Sequence, residues 1–548
     1  VQQVWFLAWA SAAILHGHNI FVTHAMNYPD GVNLFSNTSM LLLGVLAAPL
    51  TWLVGPVASF GALLRLGFVA SALSAASATR RLGKSWSSSW LVGLLFGFGS
   101  YRTSVGMTHV FAAVDVTTPW LLFTLIRLSQ SRWSLRRSGV MLGLLIGLGG
   151  LISLERSVIY VVVVAACGLV ALIRGRSRAT LQSLGETGGW LTVVAVSILA
   201  LPTYFYLWGP QALHKNPHSS DFFASFTTTW RDVLQPGPSH LWSPVGHQGL
   251  DVAAISGVWS NPSYVGIPLI VAAGIGAYRR RHEPLTRAAV GLSTLLVMIS
   301  MGRNLPMLGN VSLLNTPSWV LGHVPLVGSI TPDRYMNTGT LVISFLAVGA
   351  FDGARRWRQH LVRSGLAALV ALALVVSILP AASYPVVATG ECTWLSSPEA
   401  HSVITQNAVV VAYPYPMGVF NQGMLDQAQS GIYYRLVGGY AIVPNAHSVL
   451  SGVAPLRPYQ VFDTLTRAYL GPLSGPSSTY PFKLGEIPPY GAATAGVFRK
   501  FVRMHHVNFV VYQNVGAYPE LARLYLGRAF GAGRVFDHGQ VVVWKVSK

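Results

Sequence analysis

Apolar runs recur along this chain, and short basic clusters punctuate them. Eighteen of the 37 Lys and Arg residues fall in RRLGK (80–84), RLSQSRWSLRR (127–137), RGRSR (174–178), RRRHEPLTR (279–287) and ARRWRQHLVR (354–363). Basic loops between apolar segments are the mark of the cytoplasmic side of a membrane. The pattern confines the chain to a polytopic α-helical bundle. Charged residues are only 10% of the 548 and mean hydropathy is +0.49, too little charge to cover a soluble surface of this size. The net charge of +20 therefore reports topology, and the reading has no nucleic-acid partner.

At about 20 residues per crossing, spans fall near 57–79, 88–104, 112–129, 138–153, 157–173, 188–207, 262–278, 287–301, 336–352 and 364–383, about ten in all. The apolar run at 39–54 is broken by Pro49 and by Gly55-Pro56, so it reads as a re-entrant or interfacial helix. This count puts every basic cluster on one side and both chain ends on the other. On this count a chain starting at Val1 on the outer side is expected to have one more helix upstream, with residues 1–16 an interfacial helix; the alternative is that residues 1–16 are themselves that helix. The expected division is a first extracytoplasmic loop (1–56), a transmembrane bundle (57–383) and an extracytoplasmic α+β domain (384–548). That last domain follows from strand-like NAVVVAY (407–413), VNFVVY (507–512) and QVVVWKV (540–546), with helical PELARLYLGRAF (519–530) between the last two. Cys167 lies in an apolar run and Cys392 in the tail. No disulfide between them is expected, and no CxxC spacing suggests zinc.

Acids are costly at a membrane unless paired or functional, so the few at the outer ends of the spans stand out. Asp30 sits in NYPDG, Asp115 in VDVTTPW, Glu155 in SLERS and Asp333 in TPDRYMN. Arg102, Arg156 and Arg334 accompany them. A carboxylate can take the proton of an acceptor hydroxyl, and arginines can hold a departing phosphate. Each has a plainer reading too. Asp30, between Pro and Gly, suits a turn; Glu155-Arg156 suits a helix-end ion pair; Asp333-Arg334 suits a helix cap. His24 and His109 are candidate acceptor or metal contacts, or simple polar residues. Asn37-Thr38-Ser39 and Asn310-Val311-Ser312 match the glycosylation sequon.

Several segments carry a resemblance: VWFLAW (4–9), HGHNIF (16–21), NYPDGVNL (27–34), GMTHVF (106–111), ISLE (152–155), SNPSYVGIPL (260–269), ITPDRYM (330–336) and LDQAQSGIYYRLVGGYAIVP (425–444). In their order along the chain they resemble a bacterial, actinobacterial-type branch of the GT-C superfamily of membrane glycosyltransferases, distantly similar to aminoarabinose-transferase-like enzymes. The resemblance implies sugar transfer from a polyprenyl-phosphate donor to a glycan, lipid or protein acceptor of the cell envelope, at the outer face of the plasma membrane. It implies a catalytic carboxylate in the first outer loop, where Asp30 stands, or upstream of Val1. His109, Glu155 and Arg334 stand where members of that family look similar, and Asp115 matches loosely. In the expected mechanism Asp115 and Glu155 orient the acceptor or hold a metal, and Arg102, Arg156 and Arg334 bind phosphate. No cofactor is required, and a divalent metal is an open option. A non-catalytic scaffold subunit and a lipid-linked-sugar transporter are the alternatives.

Overall fold

The computed structural model describes the chain except residues 108, 176, 214–225, 245–260, 304–314, 325–326, 355–359, 382–392, 417–420, 445–449, 452–491, 516–518 and 547–548. Cys392, the sequon at 310–312 and much of the basic cluster at 354–363 therefore lie outside the described residues. Two compact units emerge: residues 61–200 with 218–386, and residues 1–60 with 201–217 and 387–548.

The helices begin with α1 (Gln2–His16), α2 (Leu41–Arg81), α3 (Trp86–Gly97), α4 (Ser100–Ser104), α5 (Val110–Ala113), α6 (Thr117–Ser129), α7 (Leu135–Ile152), α8 (Leu154–Gly175) and α9 (Arg178–Trp208). Among the described residues five helical stretches are long and apolar enough to cross a membrane: Leu41–Arg81, Val110–Ser129, Leu135–Ile152, Leu154–Gly175 and Arg178–Trp208. Shorter apolar helices lie at Ile267–Arg279, Pro284–Ser300 and Ala367–Ser377. Part of the difference from about ten spans is length, since the spans expected at 262–278, 287–301 and 364–383 coincide with these shorter helices. The span expected at 88–104 stops at Gly97 and restarts as the single turn α4. The run at 39–54 is helical, and it joins the next span through a kink at Gly55, where φ is 79° and ψ is 166°. That left-handed backbone favours glycine.

Inside the bundle unit α6, α7 and α8 pack as successive neighbours, and helix Met336–Ala354 packs on α3, Ile267–Arg279 and Pro284–Ser300. The contact with Ile267–Arg279 is backbone to backbone. A Cβ on Gly276 would lie 2.0 Å from the Leu346 carbonyl oxygen, and one on Gly349 would lie 2.6 Å from the Gly276 Cα. Small residues at such a crossing let helices touch where lipid offers no hydrophobic drive.

The other unit is built on a sheet. Its strands are β1 (Val22–Thr23), β2 (Val32–Asn33), β3 (Val409–Tyr413), β4 (Arg435–Leu436), β5 (Ile442–Val443), β6 (Leu450–Ser451), β7 (Phe509–Gln513), β8 (Arg534–Phe536) and β9 (Val541–Lys545). The main sheet runs β4-β3-β7-β9-β8, with β4, β3 and β7 parallel and the last two pairings antiparallel. β3 and β7 are buried along their whole length and are apolar but for tyrosines and the closing Gln513, as a sheet covered on two faces demands. Helices Ala492–Met504 and Pro519–Phe530 cover one face. The other is covered by Gln422–Gln429 and by α1, whose Trp5, Ala8 and Trp9 join Val410, Ala412 and Val511 in one core.

That location changes the expected place of α1. Every residue from Gln3 to Ala13 is buried, and a helix apolar all round belongs in a protein core rather than at a one-sided interface. The Trp5 indole donates to Gln427 Oε1 at 2.7 Å, while Gln427 Nε2 donates to the carbonyls of Ala25 and Tyr434 at 2.7 and 2.6 Å. Beside it the loop at 25–28 covers the free edge of β4. Leu436 N–H donates to the Ala25 carbonyl, and Tyr28 and Asn27 N–H groups donate to Leu436 and Gly438. Covering an edge strand removes a site for adventitious pairing. The expected first loop and tail domain thus share one unit.

Candidate active site

The bundle unit gathers most of the expected site residues at one end. α6 starts beside Asp115 and runs to the basic cluster at 127–137; α7 returns from that cluster and ends at Ile152. Ser153, extended at φ −157° and ψ 125°, separates α7 from α8. Glu155 and Arg156 therefore occupy the first turn of α8, where the helix N-terminus favours a carboxylate. Arg334 lies in a 3-10 turn, Pro332–Tyr335, just before helix Met336–Ala354.

Asp115 is the centre of this end and has no exposed surface. Its Oδ2 accepts from Arg102 Nη2 at 3.2 Å, Thr118 Oγ1 at 2.6 Å and Asn337 Nδ2 at 2.6 Å. Its Oδ1 accepts the Thr118 N–H at 3.0 Å and lies 3.9 Å from Arg156 Nη1. Charge and hydrogen bonds together offset the cost of burying an ion. The same saturation leaves no lone pair for an acceptor or metal, the roles expected for Asp115. Arg102 is equally enclosed, 2% exposed. It donates to the Phe96 carbonyl at 2.6 Å and lies over the Phe96 ring, so a phosphate cannot reach it as expected. Arg156, also buried, donates through Nη2 to the Phe111 carbonyl.

Glu155 and Arg334 form the accessible pair. Glu155 Oε2 lies 3.7 Å from Arg334 Nε, with the two side chains 30% and 14% exposed. Arg334 also donates to the Tyr101 hydroxyl at 3.2 Å and to Thr331 Oγ1 at 3.1 Å. A small, partly open cavity lies against Glu155, Arg156, Arg334, Tyr101, Tyr160 and Asn337. Asp333 is buried, and burial raises its pKa despite the neighbouring Arg334. His109 precedes α5; burial first, then the Arg334 charge, lower its imidazole to about 3, which keeps it neutral. A neutral imidazole can accept or donate a hydrogen bond but gives a phosphate no charge.

Asp30 and His24 belong to the other unit. Both are exposed, Asp30 in the Pro-Asp-Gly turn and His24 just after β1, with His24 Nδ1 at 3.0 Å from the Pro29 carbonyl oxygen. Asp30 is an electrostatic neighbour of His505, whose pKa is lowered chiefly by burial while Asp30 acts the other way. Gly31, at φ 80°, closes the turn where a Cβ would strike the Thr23 carbonyl oxygen at 2.5 Å. Among the described residues no group of three or more His, Cys, Asp or Glu side chains converges on a metal-sized site.

Sequence reasoning overlooked Asn337, Thr118 and Tyr101 as site residues. The first two carried a legible signal: each is a polar residue in the opening turn of an apolar helix, within three residues of a named charge. Tyr101 carried none beyond adjacency to Arg102.

No family model matches the chain, nor does any curated protein. Among solved structures, the chain is similar to the arabinofuranosyltransferase AftD from Mycobacteria, with a TM-score of 0.52 and 14% identity. The match covers 99% of this chain and 39% of that one, so the chain spans well under half of that protein's length. The likeness shows the fold alone: this chain is built like part of that arabinofuranosyltransferase, and its long apolar helices mark it as a membrane protein.

Proposed function

We propose that the protein is a membrane glycosyltransferase that moves a sugar from a polyprenyl-phosphate donor to an acceptor hydroxyl at the outer face of the plasma membrane. One observation carries the reading: a half-buried carboxylate, Glu155, opposes a guanidinium, Arg334, at a cavity on the end of the bundle away from the basic cluster at 127–137. The shared fold supports it.

In this mechanism Glu155 takes the proton of the acceptor hydroxyl as its oxygen bonds to the anomeric carbon. The bond from that carbon to the phosphate oxygen breaks on the opposite side, and polyprenyl phosphate leaves with the electron pair, giving inversion. Arg334 stabilises the departing phosphate. Asp115 acts through Arg102, Arg156 and Asn337, fixing the floor on which the reacting groups rest. Asp30 is the rival base, supported by its exposed position in the first loop. A cell-envelope glycan, lipid or protein supplies the acceptor, and the proposed chemistry requires no cofactor.

The test is transfer from radiolabelled polyprenyl-phosphate sugars to envelope fractions by the purified chain in nanodiscs. Arabinofuranose belongs in the panel because the chain shares its fold with an arabinofuranosyltransferase. Transfer from at least one donor is expected. Silence with every donor, from protein that is folded and monodisperse, would favour a scaffold.

A further inference from the structure

We infer that the cavity floor is a subsite for a single sugar hydroxyl, held between the Asn337 carbonyl and the Arg156 guanidinium, rather than a seat for phosphate. The inference rests on the transferase reading and adds which part of the substrate this wall takes.

The orientation of Asn337 follows from its neighbour. Its Nδ2 lies 2.6 Å from Asp115 Oδ2. A carboxylate flanked by Arg102 and Arg156 accepts hydrogen bonds and donates none, so the amide NH₂ must face it. Asn337 Oδ1 is thereby turned away from Asp115. It is buried and has no hydrogen-bond partner, and the residue lines the cavity. Arg156 is the counterpart. Its Nη2 is engaged by the Phe111 carbonyl, whereas its Nη1, also buried, has only the long 3.9 Å ion pair with Asp115. It lines the same cavity.

The wall thus carries one fixed acceptor and one fixed donor, and neither can reverse without breaking the Asp115 network. A hydroxyl both donates and accepts, so it satisfies both at once. A phosphate oxygen accepts only. It would pair with Arg156 but set its lone pairs against Asn337 Oδ1, leaving a buried acceptor unpaired. Phosphate is left to Arg334, which changes the role expected for Arg156.

The hydroxyl could belong to the donor sugar or to the acceptor, so the probes separate them. Wild-type chain and Asn337→Ala, in nanodiscs, are titrated with polyprenyl phosphate, with polyprenyl-phosphate pentoses and hexoses, and with octyl glycosides. We expect Asn337→Ala to weaken a sugar-bearing probe at least about tenfold while polyprenyl phosphate stays within about twofold; whichever sugar probe weakens identifies the source. Because the alanine variant also loses a bond to Asp115, Asn337→Ser is run beside it, and wild-type protein is titrated with monodeoxy octyl glycosides and monodeoxy donors. One deoxy position should reproduce the loss without any mutation. Equal weakening of all probes, unchanged affinity for all, uniform tolerance of deoxy sugars, or no wild-type binding to any sugar probe would each overturn the inference. Sugar transfer is scored separately: binding as expected with no transfer would remove the enzyme and leave the subsite standing.

Discussion

Asp115 and Glu155 lie near the same end of one bundle, yet their neighbours give them opposite capacities. Asp115 is enclosed by Arg102, Arg156, Thr118 and Asn337; Glu155 keeps 30% of its side chain exposed beside one arginine. Asp115→Asn removes the charge and leaves two buried guanidinium groups without their counter-ion, a loss of about 3–5 kcal/mol. We expect a clear fall in melting temperature and in the yield of monodisperse protein; a variant melting with the wild type would contradict the anchoring role. Asp426 gives a second residue-scale test. Burial pushes its carboxyl up to about 7, although the Gln513 and Gln422 amides pull the other way. The folded chain then holds a proton there between the ordinary carboxylate range and pH 7, while the unfolded chain does not. Stability must fall as pH rises through that window, by up to about 1.4 kcal/mol per unit, and level off above it. Asp426→Asn should flatten the profile between pH 4 and pH 7; an unchanged slope would show that other groups cause it. Residue types were legible in the sequence, since Glu155, Arg334 and Asp115 all stood out as acids and arginines at span ends. Their solvation was not, because it depends on partners such as Asn337, far away in the chain.

Elements were legible where pattern is local. The α7–α8 hairpin, with SLERS at its break, and the strands at 409–413, 509–513 and 541–545 fall where periodicity and length put them. What failed was the destination of apolar helices. α1 shows the reason: an apolar helix suits lipid and protein core equally, and only the distant Gln427 settles which. Gln427 joins Trp5, Ala25 and Tyr434 through three buried hydrogen bonds. Gln427→Met keeps much of the volume and leaves those groups unpaired, at about 1–3 kcal/mol each. Limited proteolysis should cut within residues 1–40 or the tail faster in this variant than in wild type, with the bundle fragment as stable as before. An unchanged cleavage pattern would show that the helix is held by apolar packing alone.

At the scale of the whole molecule, each compact unit is assembled from separated stretches of chain. Residues 1–60 share a unit with 387–548 because the loop at 25–28 completes the edge of a sheet whose strands begin near residue 409. Linear reading divides the chain at composition changes and cannot see such pairing. The central claim concerns the bundle unit, and the assignment of its base is tested most directly by comparing wild type, Glu155→Gln and Asp30→Asn in a single-turnover transfer assay with the preferred polyprenyl-phosphate sugar. We expect Glu155→Gln to slow transfer by about 10²–10⁴-fold with donor affinity little changed, and Asp30→Asn to stay within about tenfold of wild type. Full activity in Glu155→Gln, with loss in Asp30→Asn, would contradict the assignment and move the base to the first loop.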